Sequence, residues 1–119
     1  MQANEKHGPA TIIRNEDISE RLGQSQQTIR LIGQETSTTM AVGVGTFKSL
    51  GEPYTVKYDE VVYVIEGTFR FLIDGVGREC QPGDVVWLPE GTTLQYDGDE
   101  AKVLFVIAPV DWRERHGIS

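Results

Sequence analysis

Tyr58-Asp-Glu-Val-Val-Tyr-Val-Ile-Glu-Gly67 and, further along, Pro82-Gly-Asp-Val-Val-Trp-Leu-Pro-Glu-Gly91 decide the fold of this chain. Each joins a β-branched run to glycines placed where a strand has to turn tightly, so together they predict two strand-turn units of one small barrel. The same punctuation continues outward from them. Short β-rich runs are predicted over 28–32, 38–47, 54–57, 60–65, 69–73, 85–88, 93–96 and 103–108, the pattern of an all-β barrel or sandwich. Asp74-Gly75 predicts a hairpin, because a primed turn needs the positive φ that Asp and Gly tolerate. Gly98, within Tyr96-Asp-Gly-Asp-Glu100, predicts another turn.

Towards the N-terminus the pattern weakens. Residues 1–10 show no periodicity and are expected to form a loose, flexible arm, with the remainder, 11–119, as one domain whose barrel core spans about 38–108. Thr11 to Arg14 is expected as a short edge strand. Asn15-Glu-Asp-Ile-Ser-Glu-Arg-Leu-Gly23 predicts a short helix with Asn15 as N-cap, acids at the positive end of the dipole and Gly23 as its stop. At the other end, Asp111-Trp-Arg-Glu-Arg-His116 predicts a capped helical turn that lays Trp112 against the barrel.

At 119 residues the chain is long enough for one real core. A formal charge of -7 disfavours nucleic acid and anionic membranes, both of which select for clustered Lys and Arg. The single cysteine, Cys80, rules out an intrachain disulfide and a site built on several thiolates, and points to a reducing cytoplasm. No apolar run approaches the roughly 18–20 residues of a membrane helix, and no secretory leader is recognised, so a soluble cytoplasmic protein is expected. No glycine-rich phosphate cradle of the Gly-x4-Gly-Lys-Ser/Thr kind is present, and Gly43-Val-Gly45 is too short to count as one.

The spacing of the two opening stretches resembles the two motifs of the cupins. Glu60 with Gly67 matches the Glu-x6-Gly half of the first motif, and Gly83, Pro89 and Gly91 match the Gly-x5-Pro-x-Gly start of the second. Lys57-Tyr-Asp-Glu60, Tyr63-Val-Ile-Glu-Gly67, Pro82-Gly-Asp-Val85, Leu88-Pro-Glu-Gly91 and Ala108-Pro-Val-Asp-Trp112 make the resemblance closer to the ethanolamine-utilisation Q-type cupins. The resemblance implies a cupin-type β-barrel or jelly roll. It also implies pairing into a homodimer, and Val42 to Phe47 is expected as an apolar sheet edge that such pairing would cover.

In ordinary cupins the first motif brings two histidines and a glutamate to a metal and the second brings a third histidine. Carried over, the first two fall at Pro53 and Thr55, or at Tyr54 and Val56, and the third falls at Leu94. Glu60 alone remains. One carboxylate is a poor transition-metal site, so no metal cofactor is expected, with Glu60 as the ligand if a divalent ion binds weakly. The Q-type relatives also lack these histidines, and they tend to place an acid where this chain has Gln95.

Period-two alternation puts Glu60, Val62 and Val64 on one strand face, and the resemblance turns that face into the barrel. A carboxylate there is raised in pKa by desolvation and can serve as an acid or base; the plainer reading is a structural glutamate bonded to a neighbouring tyrosine. Tyr54 and Tyr58 alternate in phase with Glu60, and with Gln95 they are the expected ligand-orienting residues, although core aromatics with satisfied hydroxyls read equally well. Asp59 should face away from Glu60. Arg30 and Arg70 are expected on solvated strand faces, or paired with Glu60, or binding an anion. Trp87 and Trp112 read as packing groups, and His7 and His116 as solvated. The functional expectation is a metal-free site for a small polar metabolite with Glu60 as its catalytic group. The alternatives are a scaffold protein of a metabolic assembly and a degenerate metal-binding cupin.

Overall fold

Period-two alternation of β-branched and aromatic residues dominates the computed structural model, which describes residues 4–24 and 27–118. The strands are β1 (Glu5–His7), β2 (Ala10–Ile12), β3 (Thr28–Ile32), β4 (Ala41–Phe47) and β5 (Tyr54–Thr55), followed by β6 (Asp59–Ile73), β7 (Val76–Cys80), β8 (Val85–Leu88) and β9 (Thr93–Ala108). Two short helices, α1 (Asn15–Leu22) and α2 (Trp112–Arg115), flank the barrel strands. The fold is all-β, with antiparallel neighbours in the order β3-β4-β9-β6-β7, β5 added to β9 and β8 added to β6.

β6 and β9 are long because neither stops at its expected turn. The strand expected to end at Gly67 runs on to Ile73, and the two runs expected either side of Gly98 are one strand. Each bends instead. The β6–β9 register slips between Val64 and Glu66 and again between Glu66 and Thr68. Gly67 sits at φ 70°, where a Cβ would collide with the Glu100 carbonyl, and Glu100 itself has φ 48°. The glycine therefore makes a bulge, which kinks a strand and strengthens its twist without ending it. Gly98 serves close approach as well, since a Cβ there would lie 2.8 Å from the Phe47 carbonyl. Each long strand thus contributes to both walls of the barrel: β6 pairs β8 over Glu60–Tyr63 and β7 over Phe69–Ile73.

The core lies between these walls, with Val64 and Phe69 at 0% exposure and Val62 and Val103 at 1%. Trp112 packs edge-on against Tyr58 at 4.9 Å, so α2 does lay its tryptophan on the barrel. A smaller cluster of Ile29, Leu31 and Val44 is covered from outside by Ile18 and Leu22 of α1. The Asp74-Gly75 hairpin forms, with both residues at positive φ.

Other expectations need correction. Val42 to Phe47 is no edge, because β4 lies between β3 and β9. Trp87 is 58% exposed: it pairs with Val61 on the outer face, while Val86 and Leu88 take the inner positions. The N-cap of α1 is Arg14 in extended conformation, which makes Asn15 the first helical residue, and Gly23 closes the helix as expected. Within the stretch read as a loose arm, Glu5–His7 pairs with Ala10–Ile12 around Gly8 at φ 59°, so the strand expected at Thr11 begins earlier and sits in a hairpin. Among the described residues, no helix is long and apolar enough to cross a membrane.

Candidate functional site

Glu60 is the second residue of β6, opposite Ile107 of β9 and Leu88 of β8, on the face that carries Val62 and Val64. This buries its carboxyl to 6% exposure among apolar side chains. The Tyr96 hydroxyl donates to Glu60 Oε1 at 2.7 Å. Burial pushes the carboxyl above the usual carboxylate range, and the Tyr96 hydrogen bond opposes that rise without cancelling it. The hydroxyls of Tyr54 and Tyr58 lie 3.3 Å apart. Burial raises both Tyr58 and Tyr96; the Tyr54 bond, then the nearby Glu60 charge, add to Tyr58, while Glu60 is the chief further cause at Tyr96. The Tyr58 and Tyr96 phenols thus keep their protons at any physiological pH, facing a carboxyl biased towards its neutral form.

Glu60, Tyr58 and Tyr96 line a cavity of about 250 Å³ whose apolar wall is made largely by Phe47, Phe69 and Phe105, while Tyr54 lines the neighbouring one. The hollow originates in β4. Its inward positions Ala41, Gly43 and Gly45, opposite Ile107, Phe105 and Val103, offer almost no side chain, and only Phe47 at the strand's end reaches into the barrel. The Phe105 ring lies directly on Gly43, where any Cβ would meet it. Gly43-Val-Gly45 therefore shapes a cavity wall, a use legible only once the inward phase of β4 is known.

The structure brings Tyr54, Tyr58 and Glu60 into one neighbourhood and leaves Gln95 out. Gln95 points to the other face of β9, where its Nε2 donates to the Gly51 carbonyl at 3.1 Å. Tyr96 occupies the inward place instead. The signal was available, because Leu94 is inward and 2% exposed, and alternation then puts Tyr96, not Gln95, on the same face. Asp59 faces outward and accepts a hydrogen bond from the Glu90 backbone N–H at 2.9 Å. Arg70 is also outside, paired with Asp97 at 2.7 Å, Asp99 at 2.8 Å and Glu79 at 3.2 Å. His116 lies 3.4 Å from the Glu90 carboxylate.

Residues 16–114 match the family described as ethanolamine utilisation protein EutQ. The chain belongs to the EutQ family. A curated member, the acetate kinase EutQ of Clostridioides difficile, is 31% identical over 83 residues, which cover 69% of this chain and 53% of that protein. The chain thus spans about half the length of this relative. The solved structure of the Clostridium difficile EutQ protein superposes with a TM-score of 0.67 at 31% identity, covering 71% of this chain and 68% of that one. An RmlC-like cupin from Shewanella frigidimarina superposes at 0.57 with 19% identity over 69% and 74% of the two chains, which places the EutQ-family barrel in the cupin fold.

Cupins of the ordinary kind hold a metal on histidines, and the residues here do not fit one. Val56 and Leu94, at two of the expected ligand positions, are buried apolar side chains at 1% and 2% exposure. Among the described residues, no three His, Cys, Asp or Glu side chains converge. Glu60 and neutral phenols do not make the three or four N, O or S donors that a transition metal requires. What this EutQ-family site can do is donate and accept protons: an undissociated carboxyl hydrogen-bonds an uncharged oxygen, and an ionised one takes a proton, both at the end of an apolar cavity.

Proposed function

We propose that this EutQ-family cupin binds, and on binding can convert, a small polar metabolite in the Glu60 cavity without a metal ion, in the cytoplasm. The observation that carries the reading is a carboxyl buried to 6% exposure whose hydrogen bond from Tyr96 leaves the cavity side for a ligand. Burying an ionisable group without enough partners is costly, and such groups cluster where they are used. Glu60 acts as the acid or base, Tyr58 orients the ligand with Tyr54 behind it, and Tyr96 holds the carboxyl in place. Gln95 has no part in this reading. The name of the Clostridioides difficile relative makes acetate and acetyl phosphate the first compounds to assay.

The test is a thermal-shift screen of metal-stripped protein against small acids, alcohols, aldehydes, amines, phosphates and divalent metals, repeated on Glu60→Gln. A ligand at about 100 times its Kd adds nearly 3 kcal/mol of stability. A metabolite shift that is absent in the variant supports the reading; a shift produced by metals alone, or one that Glu60→Gln leaves intact, sinks it.

A second reading rests on the outer wall. Tyr63, Val85 and Trp87 are exposed at 43%, 66% and 58%, and Tyr63 pairs with Val85 across β6 and β8. Such a group favours association, and we propose that it covers itself against a second copy of the chain, as a dimer or within a larger assembly. Trp87→Asp then yields a smaller sedimenting species; a wild-type monomer at high concentration removes this reading.

A further inference from the structure

Beside the Glu60 cavity lies a second one of about 490 Å³ that shares Thr28, Tyr58 and Phe105 with it. Its wall also includes Arg30, Trp112 and Arg113. This is an acidic chain, with 18 Asp and Glu against 11 Lys and Arg, and Arg14, Arg70 and Arg115 each hold a carboxylate. Among the described residues, neither Arg30 nor Arg113 has a carboxylate within ion-pair distance. Glu35 approaches Gly33 from the same side as the Arg30 stem but forms no pair with it. Arg21 and Arg78 likewise hold no carboxylate among the described residues, but Arg30 and Arg113 are the two that stand together on the wall of one cavity.

Their placement is built into the fold. Arg30 stands opposite Gly43 in the β3–β4 ladder, so the strand beside it presents no side chain. Arg113 lies 4.6 Å from the centre of the Trp112 ring, which packs against Tyr58. Its charge is felt at the Tyr58 hydroxyl, whose rise in pKa it opposes. Of the two neighbouring cavities, one therefore offers guanidinium donors, suited to planar oxyanions, and the other offers a carboxyl and phenols. Phe105, shared by both cavities, gives the span between them an apolar side.

We infer, resting on the reading of the Glu60 cavity given above, that the ligand spans both spaces: an uncharged hydroxyl or carbonyl oxygen at Glu60 and Tyr58, an apolar middle along Phe105, and an anionic carboxylate or phosphate at Arg30 and Arg113. The substrate class is a short oxyacid functionalised at its far end. Both arginines are exposed, so binding falls as salt rises.

Calorimetric titration of ω-hydroxyalkanoates of rising chain length, the matched alkanols and the matched ω-hydroxyalkyl phosphates tests this. The acid of best length binds roughly tenfold or more tightly than its alcohol, the usual gain from a charge-assisted hydrogen bond. That advantage disappears in Arg30→Gln/Arg113→Gln and shrinks with added salt, whereas Arg78→Gln, at a separate cavity formed with Phe71 and Ile73, retains it. A stronger phosphate series identifies a phosphate monoester as the ligand, and a stronger carboxylate series identifies a carboxylic acid. Equal binding of acid and alcohol to the wild type, or an advantage that survives the double change, overturns the inference while leaving the Glu60 reading in place. Failure of every member of all three series in the wild type overturns the inference, and the Glu60 reading then stands or falls on the broader thermal-shift screen. Circular dichroism of each variant confirms the fold, which substitutions at exposed positions should not disturb.

Discussion

Glu60 and Arg70 belong to the same strand and both carry ionisable groups, yet they live in opposite environments. Glu60 is inside, desolvated, with one phenol for a partner. Arg70 is outside, with Asp97, Asp99 and Glu79 around it. Uniform alternation would have put both on one face, because their positions have the same parity. The bulge at Gly67 reverses the phase, so that Phe69 rather than Arg70 continues the inner face begun by Glu60, Val62 and Val64. A single glycine therefore separates a chemical site from a surface network.

Phe69 and Arg70 sharpen this contrast most strongly. Phe69 is fully buried and meets Phe47, Phe71 and Tyr96, so Phe69→Ala should cost about 3–5 kcal/mol in a urea titration. Arg70→Ala should cost less, and its effect should shrink as salt is added, because its pairs are reached by solvent. Comparable, salt-independent losses at both positions would mean that the phase reversal is wrong. Breaking the reversal itself comes next. Gly67→Ala puts a side chain at a positive φ against the Glu100 backbone and should cost about 1–3 kcal/mol. An alanine tolerated there without loss of stability would show that the bulge can relax.

This reversal also explains what the sequence could and could not reveal. The barrel, the Asp74-Gly75 hairpin, the inward phase of Glu60 and the packing of Trp112 follow from local pattern, since each depends on residues within one strand or one turn. The bulges do not, because a glycine that ends a strand and a glycine that bends it look alike until the partner strand is known. Gly67 and Gly98 both read as turns on sequence for that reason. Residue type alone makes Trp87 a packing group without saying on which face, and its pairing with Val61 places it outside. Tyr96 was within reach: starting the alternation from Leu94 selects it over Gln95. The cavity was not, since it depends on Gly43 and Gly45 facing Phe105 and Val103 across a ladder between distant segments.

Within the site, Tyr96→Phe removes a hydrogen bond to a buried acceptor and should cost about 1 kcal/mol. It should also move the Glu60 titration upward, because the Tyr96 bond is the interaction that favours the ionised form. The side-chain carboxyl resonance of Glu60, followed by NMR through a pH series, reads this directly. An unchanged or lowered midpoint would show that Tyr96 does not stabilise the carboxylate.

The finest comparison is the sign of the pH dependence on the two faces. Glu60 has a folded-state pKa above its unfolded value, so between the two values the native state holds more protons and stability falls as pH rises. Below that window Glu60 is neutral in both states, and above it the loss is complete and constant. Asp97 behaves oppositely. Its hydrogen bond from Arg70, followed by that from the Gly98 N–H, holds its carboxyl below the usual range, so its contribution is present above the unfolded value and is lost as pH falls through the folded one. Measured by urea midpoint against pH, Glu60→Gln should therefore gain on the wild type as pH rises through the window set by Glu60, then run parallel to it. Asp97→Asn should show its full deficit at neutral pH and approach the wild type in acid. Two variants that lose stability in the same direction over the same window would mean that burial does not set the character of Glu60, and the interior carboxyl would then be an ordinary structural group.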